Sequence, residues 1–143
     1  MSKQAVQEVA LRVALEHAIA RKSDEYDQRV REYADRLTGT KLDKTQVRGL
    51  ETLASTTDKV SDITDWLKLR VGRDSGRERW AKESIGRDLV NELEGLRNDA
   101  KKIMQGLGQG EPDLERQVHL RLCREFLKHL AAHFEYLKAE QER

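Results

Sequence analysis

Four residues in the last third of the chain have the spacing of metal ligands. His119 and Cys123 stand four residues apart, and so do His129 and His133. On a helix, this spacing places each pair on one face, where imidazole and thiolate groups can bind a metal ion. The two pairs cannot share one ion, because the 14 residues from His119 to His133 span about 21 Å of helix. Since Cys123 also falls on the apolar side with Phe126, we expect a buried free cysteine, no metal and no cofactor.

A catalytic alternative is offered by the segment REFLKH, from Arg124 to His129. Its Arg-x4-His pattern resembles the signature of HEPN-type ribonucleases, which implies that Arg and His of two protomers act together on the scissile phosphate. Glu125 follows the arginine, however, and its negative charge would repel a phosphate. Arg124 and His129 also fall on different faces of the helix. No nucleophile triad, phosphate-binding glycine loop or HExxH motif is present, so we expect a protein that is not an enzyme and keep a dimeric ribonuclease as an alternative.

Basic side chains are the second kind of candidate, beginning with Lys44 and Arg48. The stretch LDKTQVRGLETL predicts a helix start, with Asp43 as N-cap, a capping box to Gln46 and a staple of two apolar residues, Leu42 and Val47. Lys44 and Arg48 lie one turn apart on the side of this helix away from its apolar residues. They are candidate contacts to the phosphates of a nucleic acid.

Positive charge is concentrated in the middle of the chain. Residues 68–87 contain seven lysines and arginines against three acids, although the formal net charge of the whole chain is only +1. Two glycines in this stretch, Gly72 and Gly76, would allow a ligand to approach the backbone closely. Lys68, Arg70 and Arg73 in this stretch are candidate contacts to the phosphates of a nucleic acid.

A third basic stripe is predicted on the last helix, where Arg121, Arg124 and Lys128 lie opposite the apolar line. Arg121 and Arg124 are added to the candidate contacts with a nucleic acid. The aromatic residues fall mostly at core spacing, which leaves few rings to stack on bases. Binding is therefore expected to involve the phosphate backbone, without sequence specificity and with strong salt dependence.

The elements that position these residues are predicted to be helices. The chain is expected to be all-α, a single-domain helical bundle of about five helices with a long N-terminal helix, covering residues 1–143. Residues 1–40 contain the N-terminal helix, whose apolar stripe includes Val6, Val9 and Val13, and residues 41–138 contain the remaining core. The predicted helices are 3–37 with a break near Ser23 and Asp24, one starting after Asp43, 61–73, 78–107 and 112–139.

Composition places the chain in the cytoplasm. No apolar run approaches the roughly 18 residues needed to span a membrane, and there is no signal-peptide pattern. The single cysteine excludes an internal disulfide and suits a reducing compartment. We therefore expect a cytoplasmic protein without a membrane partner.

Three segments together resemble the small subunit of type III CRISPR effector complexes, the Csm type. They are LDKTQVRGL at residues 42–50, LKLRVGRD at 67–74 and RLCREFLKHLAAHFEYL at 121–137. The resemblance covers about residues 41–138 and leaves the first helix unmatched. Asp43 replaces a threonine that is usual in the family.

The resemblance implies a non-catalytic helical subunit that stacks in several copies inside a ribonucleoprotein complex. Its partners would be guide RNA, target RNA, other subunits and copies of itself. Lys44, Arg48, Arg70 and Arg73 would contact the RNA backbone. A helical adaptor that binds only protein is the remaining alternative.

Overall fold

The computed structural model describes residues 2–143, and all the regular secondary structure in this range is helical. The all-α fold with a long N-terminal helix is therefore confirmed. Six α-helices follow one another: α1 (Lys3–Glu25), α2 (Asp27–Thr38), α3 (Lys44–Thr56), α4 (Val60–Arg73), α5 (Ile85–Gly106) and α6 (Pro112–Gln141). None of the described helices combines the length and the apolarity that crossing a membrane requires.

Helix α6 is the centre of the bundle and contacts each of the other five helices. Its buried side chains cover a wide arc, so that Leu120 and Leu127 are buried along with Phe126 and Cys123. A helix surrounded by neighbours is apolar over more than one face. It begins at Pro112, as predicted, because a proline at the first helical position lacks only an N–H that the helix does not use.

Local signals set the start of α3 as predicted. Asp43 Oδ1 accepts a 3.0 Å hydrogen bond from the backbone N–H of Gln46, and Gln46 Oε1 accepts one of 2.9 Å from the N–H of Asp43. This reciprocal pair is a complete capping box. Leu42 and Val47, the predicted staple, are both buried in the core. The face that carries Lys44 and Arg48 is therefore fixed by residues other than these two cations.

The predicted first helix is divided at Tyr26, close to the expected break near Ser23 and Asp24. Tyr26 is buried, its ring lies 5.8 Å from that of Phe126, and its hydroxyl donates a 2.8 Å hydrogen bond to Asp99 Oδ2. Burial, reinforced by the Asp99 carboxylate, raises the pKa of Tyr26. The boundary between α1 and α2 is thus anchored to both α5 and α6.

The N-terminal half of α1 departs from the predicted core. Val6, Val9 and Val13 were expected on a buried stripe, but they are 53%, 48% and 49% exposed. The buried contacts of α1 come instead from Leu15 and Ile19, on the opposite face. Regular apolar spacing alone could not distinguish the two faces, since the helix is apolar on both.

The start of α5 also departs from the prediction, which placed a helix from residue 78. Residues 74–84 form a turn that ends in a 3₁₀ segment, Lys82–Ser84, and α5 begins only at Ile85. Trp80 is buried as predicted, but it reaches the core from this turn and packs edge-on against Trp66 at 5.8 Å. The turn and the helix ends beside it carry most of the concentrated positive charge.

Candidate nucleic-acid interface

An arginine-rich surface lies where α4 ends and α5 begins, and we call it the junction surface. It comprises Arg70 and Arg73 at the end of α4, Arg77 and Arg79 in the turn, and Arg87 in the first turn of α5. All are exposed except Arg70, which is half-buried. Within residues 2–143, none of the five forms an ion pair with an acid. Their guanidinium groups are therefore available to an anionic ligand without the loss of an existing ion pair.

Two acids close in sequence to these arginines, Asp74 and Glu78, bind other groups of the protein. Asp74 Oδ2 accepts 2.9 Å hydrogen bonds from the backbone N–H groups of Arg79 and Ala81. Burial by itself raises the pKa of Asp74, but these backbone hydrogen bonds outweigh it and hold the pKa below its ordinary value. The carboxylate of Glu78 pairs with Lys41 Nζ at 2.7 Å. Both acids therefore stabilise the turn, and neither forms an ion pair with a junction arginine, although the charge of Arg79 acts on both.

The turn is also tied to the link between α2 and α3. Lys41 N–H donates a 2.8 Å hydrogen bond to the carbonyl oxygen of Glu78, and Lys82 Nζ donates one of 2.6 Å to that of Gly39. Three non-glycine residues of the turn have left-handed backbone angles, namely Arg77 (φ 52°), Glu83 (φ 50°) and Ser84 (φ 62°). Such conformations are unfavourable by themselves and persist only where surrounding contacts hold them. The turn thus has a defined shape.

Helix α5 approaches α4 through a glycine. A Cβ atom on Gly86 would lie 2.4 Å from Val71 Cγ2 and 2.6 Å from the carbonyl oxygen of Trp80, so only glycine fits there. This contact brings the first turn of α5, with Arg87, beside the last turn of α4, with Arg73. The close approach packs the start of α5 against the end of α4 and against the turn between them.

Arg70 is held in place by stacking. Its guanidinium carbon lies 3.6 Å from the centre of the Trp66 ring, a cation–π contact. Burial, followed by the nearby charge of Arg73, lowers the pKa of Arg70. Because Trp66 is occupied by Arg70 on one side and by Trp80 at its edge, neither tryptophan is free to stack on a base. Tyr136, by contrast, is 65% exposed, although core spacing was expected for most aromatic residues.

The predicted contacts on α3 form a second basic surface, Lys44 and Arg48, which we call the α3 surface. Unlike the junction arginines, both have acidic partners on or just after α6. Arg48 Nε bonds Glu135 Oε1, and Lys44 Nζ lies 3.9 Å from Glu142 Oε2. Lys68, another predicted contact, lies 3.5 Å from Glu94. Each of these three cations is thus paired with an acid of a different helix or of the segment that follows one.

Two of the predicted contacts, Arg121 and Arg124, are engaged in contacts between helices. Arg121 makes two 2.7 Å hydrogen bonds to the carboxylate of Glu16 on α1. Arg124 donates 2.8 Å hydrogen bonds to the carbonyl oxygens of Ala54 and Thr57. The structure therefore brings neither residue into the junction surface or the α3 surface. A basic stripe on α6 would be free to bind a ligand only if other helices packed against one side of α6, whereas α6 contacts all five of them.

The histidines and the cysteine of α6 occupy ordinary structural positions. His119 Nε2 and Cys123 Sγ both contact the carbonyl oxygen of Leu93, at 2.8 Å and 3.5 Å. Burial lowers the pKa of His119 and raises that of the Cys123 thiol to about 12. His129 and His133 lie near Glu125 and Asp27, at 3.5 Å and 3.6 Å. Among the described residues, no group of three or more His, Cys, Asp or Glu is arranged to hold a metal ion.

A groove of about 1470 Å³ runs between α1, the start of α4 and α6. Its lining includes the apolar residues Leu15, Ile19 and Leu120, with charges of both signs around them. A mixed rim of this kind gives no preference for a polyanion. The junction surface is therefore the stronger candidate for binding nucleic acid.

Three junction arginines, Arg77, Arg79 and Arg87, were not selected as site residues from the sequence. The charge count over residues 68–87 included them, but only the fold shows that their neighbouring acids are engaged elsewhere. Comparison of the chain with protein-family models, with curated proteins and with solved structures found no match. The fold and the site define an all-helical protein with an open, arginine-rich surface.

Proposed function

We propose that this chain is a non-catalytic subunit that binds the RNA backbone within a type III CRISPR effector complex. The observation that carries the proposal is the junction surface, five arginines without acidic partners in the described chain, grouped around a shaped turn. Arginine suits phosphate because its planar guanidinium donates several hydrogen bonds to phosphate oxygens and keeps its charge. Several such side chains around one turn can contact several phosphates of a repeating backbone.

Contact with phosphate rather than with bases is supported by the aromatic residues. Trp66 and Trp80 pack on each other, and Arg70 covers Trp66, so these two rings are not offered to an unpaired base. Binding to phosphates alone is independent of sequence and weakens steeply with salt. This property suits a subunit that must hold guide and target RNA of any sequence.

The sequence resemblance supplies the complex and its other partners. In this proposal the chain packs against other subunits and against copies of itself while it holds the guide and target RNA. The exposed valines of α1, Val6, Val9 and Val13, provide an apolar face for such protein contacts. The same face is what favours the second candidate function, a helical adaptor that binds only protein.

The ribonuclease alternative is not favoured by the geometry of its two residues. Arg124 donates to the carbonyl oxygens of Ala54 and Thr57, so it would have to break these hydrogen bonds to reach a phosphate. His129 lies beside Glu125. The test is incubation of the pure protein with labelled RNA. Cleavage that His129→Ala abolishes would establish the ribonuclease instead.

Binding of the purified chain to RNA tests the proposal directly. One variant combines Arg73→Gln with Arg77→Gln, and a matched variant combines Arg12→Gln with Arg21→Gln, which removes two exposed α1 arginines that also lack ion pairs among residues 2–143. The junction variant should bind two unrelated RNA duplexes about tenfold more weakly than wild type, with a shallower dependence on salt. Equal binding by wild type and both variants would refute the proposed interface.

A further inference from the structure

The α3 surface differs from the junction surface because acids from the end of the chain cover it. Glu135 and Glu142 lie near the end of α6 and contact Arg48 and Lys44. The two partners of each pair are 87 residues or more apart in sequence, so the pairs exist only when the bundle has formed. Another acid of the same segment, Glu140, faces Arg143 at 3.8 Å instead. Two acids of this segment are thus directed at the two cations of α3.

The ion pairs of Arg48 with Glu135 and of Lys44 with Glu142 are exposed to solvent, whereas the contacts between α3 and α6 beneath them are apolar. Side-chain exposure is 61% for Arg48 and 68% for Glu142, so water and ions reach both ion pairs. Exposed ion pairs are weak, and salt screens them further. Beneath them, α3 packs on α6 through buried residues such as Val47, Leu50 and Phe134. Side chains can therefore exchange partners at this surface without any change in the packing of the helices.

We propose that Glu135 and Glu142 compete with RNA phosphates for Arg48 and Lys44, so that the α3 surface is a second backbone-binding site held closed by its own chain. This inference rests on the proposed function. The carboxylates occupy the donors that a phosphate would use, and their negative charge repels an approaching RNA. RNA held at the open junction surface raises the local phosphate concentration, and phosphates then displace the two carboxylates.

The closed state also limits the binding of small anions. A single phosphate or carboxylate in solution gains little by replacing an existing carboxylate on Arg48. A long RNA gains more, since its phosphates remain tethered while the glutamates swing into solvent. The α3 surface would therefore respond to extended RNA in preference to nucleotides.

The experiment uses one variant that combines Glu135→Gln with Glu142→Gln and a matched variant that combines Glu8→Gln with Asp24→Asn. Both variants gain the same charge, but the second pair lies on α1, which packs on α2, α5 and α6. With the same RNA duplex, the first variant should bind about three- to tenfold more tightly than wild type, and the second less than about twofold. Thermal unfolding of each variant shows whether the fold is kept.

A further comparison distinguishes release of α3 from a general change of charge. In the presence of Arg48→Gln and Lys44→Gln, the two glutamate substitutions should lose most of their effect. If wild-type protein binds RNA and the glutamate variant binds no more tightly than the α1 control, the closed site is refuted and the proposed function stands. If neither wild type nor any variant binds RNA, the proposed function itself fails, and this inference fails with it.

Discussion

Arg124 on α6 donates a 2.8 Å hydrogen bond to the carbonyl oxygen of Ala54 near the end of α3. A second bond of the same length reaches the carbonyl oxygen of Thr57, the C-cap residue that follows the helix. The last carbonyl groups of a helix have no partner within the helix itself, so a guanidinium at this position stabilises the helix end. Arg124, one of the residues that the sequence suggested for phosphate binding, thus joins two helices.

We predict that Arg124→Ala destabilises the protein by about 1–3 kcal/mol, because two carbonyl groups lose a charged donor in a partly buried site. Chemical denaturation followed by circular dichroism measures this change. The control is Lys128→Ala, one turn further along α6, where the exposed lysine pairs only with Glu125 among the described residues. It should cost less than about 0.5 kcal/mol. Equal effects of the two substitutions would contradict the role assigned to Arg124.

Two glycines of α5 should respond in opposite directions to alanine. Gly86→Ala places a Cβ atom 2.4 Å from Val71 Cγ2 and 2.6 Å from a backbone oxygen, and we expect a loss of about 2 kcal/mol or more. A Cβ atom on Gly95, in the interior of the helix, would meet no atom within 4 Å. Gly95→Ala should therefore stabilise the protein by about 0.5–1 kcal/mol. The free energies of unfolding from urea titrations check both signs.

Features that depend on neighbouring residues were predictable from the sequence. The capping box of Asp43 and Gln46 depends on residues three apart, and proline at position 112 acts within one turn, so both helix starts could be located. The start of α5 could not be located in this way. Its turn depends on Asp74 binding N–H groups five and seven residues later and on left-handed angles at three non-glycine residues.

The sequence could predict where basic residues cluster in the candidate site. It could not predict which of them contact other groups of the protein. A helical wheel identifies which α6 residues lie opposite the apolar line, but it assumes that only one side is covered. Since α6 contacts every other helix, Arg121 meets Glu16 and Arg124 meets the end of α3. The valines of α1 were expected to be buried and are exposed, because apolar spacing cannot show which of two helix faces packs against a neighbour.

Stability should fall in mild acid through His119. Burial lowers the pKa of this histidine, so the folded state favours the neutral ring while the unfolded chain takes up a proton near the ordinary value of 6.5. Because the pKa of His119 is lower in the folded state than in the unfolded chain, protonation favours unfolding. The protein is therefore fully stabilised above about pH 6.5 and loses stability as the pH falls below that value. We expect wild type to lose stability between about pH 7 and pH 5, as measured by urea titration at each pH. His119→Gln, which can still donate to the carbonyl of Leu93, should lose less over the same range.

RNA binding should depend more on Arg73 than on Arg48, although both were predicted as contacts. Arg73 has no acidic partner among the described residues, whereas Arg48 already bonds Glu135 and must exchange that partner for a phosphate. Arg73→Gln should weaken binding about three- to tenfold and reduce the slope of log K against log salt by about 0.7–0.9. Arg48→Gln should weaken it by less than about twofold while Glu135 is present, and by more in the presence of Glu135→Gln. Fluorescence anisotropy over a series of salt concentrations measures these values. An effect of Arg48→Gln as large as that of Arg73→Gln in the otherwise wild-type chain would show that the glutamates do not close the α3 surface.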